Sequence, residues 1–126
     1  MIEEEENDDF PGFEECIEMI RSKNDLVFED GYGWLVGFSG STPRVATYVD
    51  ELIELLRTEK DPSCRARFVE LLGCTQNEKA IPILKSELSS PIRMIRDMAI
   101  FGLDELNFPE AIEIAKTFRE QHPEEG

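Results

Sequence analysis

The chain has too few histidines and cysteines for the common catalytic and metal sites. Among its 126 residues are one histidine and three cysteines. His122 alone provides neither a histidine cluster for a metal ion nor a Ser-His-Asp triad. Cys16, Cys64 and Cys74 form no CxxC pair, and an odd number of thiols suits a reducing cytosol better than a secreted disulfide scaffold. The sequence therefore predicts a non-enzymatic protein with no cofactor and no metal ion.

Long apolar runs are also lacking. No stretch of 18 apolar residues exists, and the N-terminus is acidic where a signal peptide would be basic. We therefore expect a cytoplasmic protein that does not bind membranes.

Positive charge is scarce, above all near the N-terminus. The net charge is −15, and residues 1–20 contain acidic side chains but no basic one. Residues 1–9, MIEEEENDD, are predicted to form a disordered acidic tail because like charges repel each other. An acidic surface repels phosphate backbones, which argues against direct nucleic-acid binding, and it attracts a basic protein partner. The alternative is that this charge only maintains solubility.

What the chain does contain is an internal repeat. Residues 65–84, shifted by 31, fall on residues 96–115 with matching apolar positions, such as Leu72 on Leu103 and Ile81 on Ile112. A fixed period of this length is typical of solenoids, in which each unit buries its apolar face against its neighbour. Apolar spacing, capping residues and prolines predict helices at about 12–22, 43–58, 62–73, 77–89, 91–106 and from 109 onwards. Pro82 is expected to bend the fourth of these helices.

The stretch 26–40, LVFEDGYGWLVGFSG, is ambiguous. Its three glycines, Gly31, Gly33 and Gly37, each cost a helix about 1 kcal/mol relative to alanine. Two short apolar runs around Asp30-Gly31 also fit a β-hairpin at 26–38. The repeat favours a helix, and the hairpin remains the alternative.

Two segments resemble a known repeat family. RARFVELLGCTQNEKAIPILKSEL and, less closely, IRDMAIFGLDELNFPEAIEIAKTF resemble the short bacterial HEAT repeat. The second segment departs from the pattern at Asp104 and Glu113. The resemblance implies an all-α fold, a small right-handed α-solenoid of about three helical hairpins, with one domain over 10–122 and an irregular first unit. Such solenoids generally act as protein-binding scaffolds, and some relatives are lyases that attach bilin chromophores.

The repeat also suggests roles for individual side chains. Arg65 and Arg96 are repeat-equivalent, and each guanidinium is expected to pair with an acidic side chain or a loop carbonyl of a neighbouring repeat. One series of positions along the helices either packs inside or lines a binding face, where aromatic anchors and carboxylates would contact a partner. The candidate partner-binding residues are Glu29, Asp30, Tyr32, Trp34, Arg67, Glu70, Asp97, Phe101 and Asp104.

These features together predict a protein-binding module with a basic partner. Its most concrete form is an immunity protein or antitoxin whose acidic face covers a bacterial toxin. The alternatives are a subunit resembling a bilin-chromophore lyase and a general assembly adaptor. The sequence does not identify the partner.

Overall fold

The computed structural model describes residues 10–125, and the predicted acidic tail at 1–9 lies outside them. The described chain is mostly helical, which confirms the helical prediction. Its α-helices are α1 (Phe13–Arg21), α2 (Asp25–Val36), α3 (Val49–Thr58), α4 (Pro62–Gly73), α5 (Ala80–Glu87), α6 (Arg93–Leu106) and α7 (Pro109–Gln121). Two two-residue strands, β1 (Phe38–Ser39) and β2 (Thr42–Pro43), follow α2, and 3₁₀ turns span Arg44–Tyr48 and Pro123–Glu125. The chain divides into two compact units at Arg44 and Val45. One domain over 10–122 stays a prediction.

In the first unit, α2 occupies the stretch that the sequence left ambiguous. The hairpin considered for 26–38 is wrong, because α2 runs through both Gly31 and Gly33. Asn24 caps the helix by accepting hydrogen bonds from the backbone N–H groups of Leu26 and Val27 at 2.9 and 3.3 Å. A Cβ on Gly31 would lie 2.6 Å from the Cβ of Met19, so this glycine lets α1 and α2 pack closely. That contact offsets the helical cost of Gly31.

The helix predicted over 43–58 begins later than expected. Thr42 and Pro43 do not cap it, because they form β2, which pairs with β1 in antiparallel register. The 3₁₀ turn Arg44–Tyr48 then leads into α3. Capping residues and turn residues overlap in type, so a Thr-Pro pair alone does not distinguish a helix start from a short hairpin.

The second unit contains the repeat, and its two copies have matching local geometry. Helices α4 and α6 begin 31 residues apart, at Pro62 and Arg93. Gln76 and Asn107 are also 31 residues apart, and both adopt a left-handed backbone, with φ of 58° and 60°. Within 10–125 they are the only non-glycine residues with positive φ. The turns that follow α4 and α6 therefore share a left-handed residue at the same repeat position, although Asn107 directly follows α6 and Gln76 lies three residues beyond the end of α4.

Helices α4 and α6 form the main packing contact of this unit. A Cβ on Gly73 would lie 2.3 Å from the Cα of Gly102, so the two backbones touch. Gly73 ends α4, and Gly102 lies near the end of α6, so we infer that the two helices run parallel. Helix α5 packs against both of them, and α7 packs against α6. The core between these helices contains fully buried side chains that include Phe68, Leu72, Leu84, Ile95 and Leu103.

The repeat-equivalent arginines make equivalent contacts. Arg65 Nη1 donates to the carbonyl of Glu59 at 2.8 Å, and Arg96 Nη1 donates to the carbonyl of Ser90 at 2.8 Å. Each acceptor precedes its arginine by six residues. Arg65 also donates to Leu56 O at 2.7 Å. The predicted structural role, in which each arginine binds a loop carbonyl, is confirmed by these contacts.

Arg65 has an acidic partner in addition. Its Nε and Nη2 donate to the two carboxylate oxygens of Glu87 at 3.1 and 2.6 Å. The Glu87 side chain is only 8% exposed. This bidentate pair ties α4 to α5 within one hairpin, whereas the carbonyl bonds tie α4 to the end of α3.

The predicted caps of the later helices are confirmed in part. Asp61 caps α4 by accepting from the backbone N–H of Cys64 at 3.0 Å, with a proline at the first helical position. Ser90 accepts from the N–H of Ile92 at 3.1 Å, but α6 begins only at Arg93. Pro82 lies in the first turn of α5, not in its second. A backbone N–H group in the first turn has no hydrogen-bond acceptor within the helix. Proline therefore removes no helical hydrogen bond at this position, and the bend that was predicted from such a loss is not expected.

Candidate functional site

The predicted partner-binding residues fall in both units. Glu29, Asp30, Tyr32 and Trp34 lie on α2 in the first unit. The others, Arg67, Glu70, Asp97, Phe101 and Asp104, lie on α4 and α6 in the second. Each group is therefore considered within its own unit.

On α2, three of the predicted residues line one surface concavity. Glu29, Asp30, Gly33 and Trp34 surround a depression of about 240 Å³, called here the α2 depression. Both carboxylate residues are exposed, and Trp34 is half-buried. The helical period places residues 29, 30, 33 and 34 on neighbouring positions of one side of α2. The depression therefore combines two negative charges with an aromatic ring.

Contacts within the first unit hold Trp34 in place. The Phe10 ring lies 6.0 Å from the indole, and the Arg44 guanidinium lies 4.5 Å from the Phe10 centroid and 5.6 Å from that of Trp34. Arg44 Nη1 also donates to the backbone carbonyl of Trp34 at 2.9 Å. These cation–π and hydrogen-bond contacts restrict the orientation of the ring. Tyr32 packs with Phe28 instead, at 5.8 Å between centroids.

Gly33 is the residue of this site that the sequence-based reasoning missed. Apart from its two chain neighbours and the backbone of α2, no described atom lies within 4 Å of the position that its Cβ would occupy. Its backbone is ordinary helix, so neither packing nor conformation requires glycine there. An exposed glycine in a helix costs about 1 kcal/mol relative to alanine. The sequence showed this cost, but only the structure shows that Gly33 leaves open space beside two carboxylates.

On α6, three of the predicted residues share one side of the helix with Met94. Met94, Asp97, Phe101 and Asp104 lie within about 80° of the helix circumference and are called here the α6 face. Met94 is 44% exposed and Phe101 40% exposed. Asp97 pairs with Arg93 at 3.7 Å, and Asp104 pairs with Arg119 of α7. Apolar side chains and carboxylates thus alternate along this side of α6.

Arg67 and Glu70 on α4 flank this region. Both are half-buried. We measured the angular position of each residue around its helix axis from the Gly73–Gly102 contact. For two parallel helices, Arg67 and Glu70 of α4 then point to the same side as Met98 of α6. The order expected from the 31-residue period is thus compatible with the packing of α4 on α6.

A groove between α5 and α7 was not predicted. It has a volume of about 350 Å³, with apolar walls from Leu88, Ile114 and Phe118 and with Lys85 and Glu113 among its polar lining residues. Because the groove is lined by both a positive and a negative side chain, its charge does not indicate a particular class of ligand. The apolar spacing of α5 and α7 indicated only that these residues face inwards, so the sequence had no signal for a groove.

The titratable groups give little sign of catalytic chemistry. Burial raises the pKa of the Cys16 thiol to about 11, with a smaller opposing effect from Arg44. That thiol is fully buried, so it is protonated and shielded at neutral pH. Within residues 10–125, no group of three metal-ligating side chains is found, and no helix is long and apolar enough to cross a membrane.

Comparisons with protein-family models, with curated proteins and with solved structures found no match.

Proposed function

We propose that the chain is a non-enzymatic, protein-binding module that recognises a basic protein, built from HEAT-like hairpins in a short right-handed α-solenoid. The α6 face is the observation that carries this proposal. Met94 and Phe101 keep about two fifths of their surface exposed on a helix whose other side is buried. Exposed apolar side chains with a charged rim are typical of protein interfaces.

The charge of the chain indicates the kind of partner. The net charge is −15, and Asp97 and Asp104 alternate with the apolar side chains of the α6 face. Their pairs with Arg93 and Arg119 are exposed, and such pairs contribute about 0–1 kcal/mol each. A lysine or arginine of the partner can therefore take the place of Arg93 or Arg119 beside these aspartates at a small cost in free energy. Negative charge also accelerates encounter with a basic surface.

The concrete form of the proposal is toxin neutralisation. An immunity protein or antitoxin needs a tight, stoichiometric contact and no chemistry of its own. In this form, the α6 face covers a basic active site. Co-expression tests it: the captured partner should arrest bacterial growth alone, and this chain should restore growth.

Binding itself is tested by capture and mutation. The immobilised chain is incubated with a native bacterial lysate at low salt and washed at about 1 M salt, where the Debye length is about 3 Å. The eluted basic protein is then purified, and its association rate is measured against salt. The variant Glu70→Lys/Asp97→Lys/Asp104→Lys should bind at least tenfold more weakly, and Phe101→Ala should also weaken binding.

The matched control is Glu110→Lys/Glu113→Lys/Glu120→Lys, which makes the same charge change on exposed positions of α7. Circular dichroism verifies that each variant is folded. Wild-type affinity in the α6 triple variant would remove the α6 face from the proposal. An equal loss in the α7 control would show that only the net charge matters.

A further inference from the structure

We infer that the α2 depression is a receptor for a single arginine side chain. This inference rests on the proposed function, because the arginine belongs to the basic protein partner. The inference specifies one contact with that partner, which lies in the first unit, whereas the α6 face lies in the second.

The depression is smaller than a typical ligand pocket. Its volume of about 240 Å³ lies below the range of about 300–1,000 Å³ that is usual for small-molecule and cofactor sites. One amino-acid side chain fits this space.

The lining residues favour a cation, although the chain's own Arg44 guanidinium, 5.6 Å from the Trp34 centroid, offsets part of their negative charge. Glu29 and Asp30 place two exposed carboxylates at the rim, and the Trp34 indole forms the aromatic part of the lining. A guanidinium can stack on an indole while it donates hydrogen bonds to carboxylates, whereas an ammonium group is a compact and strongly hydrated point charge. The geometry therefore favours arginine over lysine.

Gly33 supplies an independent reason to regard the depression as a site. Of the two glycines inside α2, Gly31 is required by the close contact with Met19. Apart from its two chain neighbours and the backbone of α2, Gly33 meets no described atom within 4 Å of its missing Cβ, although it weakens the helix. Its effect is to leave the space between Glu29, Asp30 and Trp34 open. Any larger side chain there would begin to fill it.

The test uses the only tryptophan of the chain as a reporter. The probe is the peptide acetyl-Gly-Arg-Gly-amide, titrated into the full chain while the indole N–H resonance and the fluorescence of Trp34 are recorded. We expect saturable changes in both signals. The corresponding lysine peptide should bind roughly two- to fivefold more weakly.

Two variants test the lining. Glu29→Gln/Asp30→Asn should weaken binding of the arginine peptide about fivefold or more. Gly33→Leu should abolish binding by filling the space, and because leucine is a good helix former, the helical signal should be retained. The control Glu113→Gln/Glu120→Gln makes the same charge change on α7 and should bind like the wild type.

Each contrary result is informative. The arginine receptor is refuted if the peptide leaves the Trp34 signals unchanged, if lysine binds equally well, or if the control variant loses as much affinity. If the peptide fails while partner binding still depends on the α6 face, the proposed function stands without this contact. If the peptide binds while the α6 variants have no effect, the receptor stands and the α6 face falls.

Discussion

Replacing Arg65 by methionine should destabilise the second unit far more than the same change at the repeat-equivalent Arg96. Methionine retains an apolar stem but removes the guanidinium. At Arg65 the loss leaves Glu87 with its side chain 8% exposed and without either of its hydrogen bonds from Arg65. Breaking a buried pair by removing one partner costs about 3–5 kcal/mol, because a buried charge is left uncompensated.

At Arg96 the corresponding change removes the hydrogen bond to Ser90 O, among other contacts, and Glu87 is the only buried carboxylate residue in the described part of the chain. The position equivalent to Glu87 is Phe118, which carries no charge. Loss of a hydrogen bond from a charged guanidinium to a backbone carbonyl costs about 1.5–3 kcal/mol. The two variants should therefore differ by about 1–3 kcal/mol, which is a substantial fraction of the 5–15 kcal/mol that is typical for a whole domain.

Urea unfolding followed by circular dichroism measures this difference at neutral pH. The double variant Arg65→Met/Glu87→Leu should recover much of the lost stability, since replacing both partners by apolar residues is often neutral. Equal losses for Arg65→Met and Arg96→Met would refute the reasoning. So would a double variant no more stable than Arg65→Met alone.

Three further predictions concern local geometry and pH. Gly73→Ala should destabilise the protein by about 1–3 kcal/mol because the new Cβ would collide with Gly102. Gly33→Ala should stabilise it by up to about 1 kcal/mol. Thermal melts in which both variants change stability in the same direction would contradict the packing. Gln76→Gly should stabilise by about 0.5–1 kcal/mol in urea unfolding, since φ of 58° suits glycine, and a loss of stability would argue against the left-handed turn. Stability should fall between pH 9 and pH 11 by roughly 1.4 kcal/mol per unit, because the unfolded Cys16 thiol loses its proton near 9.0 while the folded one retains it to about 11. Unfolding measured across this range should show that slope, and Cys16→Ala should remove it.

Much of the second unit was accessible from the sequence because its signals are local. Apolar spacing and the Asp61-Pro62 cap correctly predicted α4, whereas the helix predicted from residue 91 begins at Arg93, 31 residues after the start of α4. The period also indicated equivalent roles for Arg65 and Arg96. It did not identify Glu87, because that pair joins residues 22 positions apart whose meeting depends on how α5 folds back on α4.

The first unit was less accessible because its local signals conflict. Glycines oppose a helix at 26–40, and the contact of Gly31 with α1 that offsets part of this cost is tertiary. For the same reason, Thr42-Pro43 was misassigned to a helix start. The candidate residues Glu29, Asp30 and Trp34 were named from charge and aromaticity alone, and the structure adds that they line one depression with Gly33.

The sequence by itself determined the helical class, the repeat and the excess of negative charge, since composition and periodicity are properties of the chain order. Only the tertiary structure decided which glycines are contacts and which leave space, which carboxylate is buried against Arg65, and which apolar side chains of α6 remain exposed. Those properties depend on what lies next to a residue in space, and helical periodicity specifies a side chain's direction but not its neighbour.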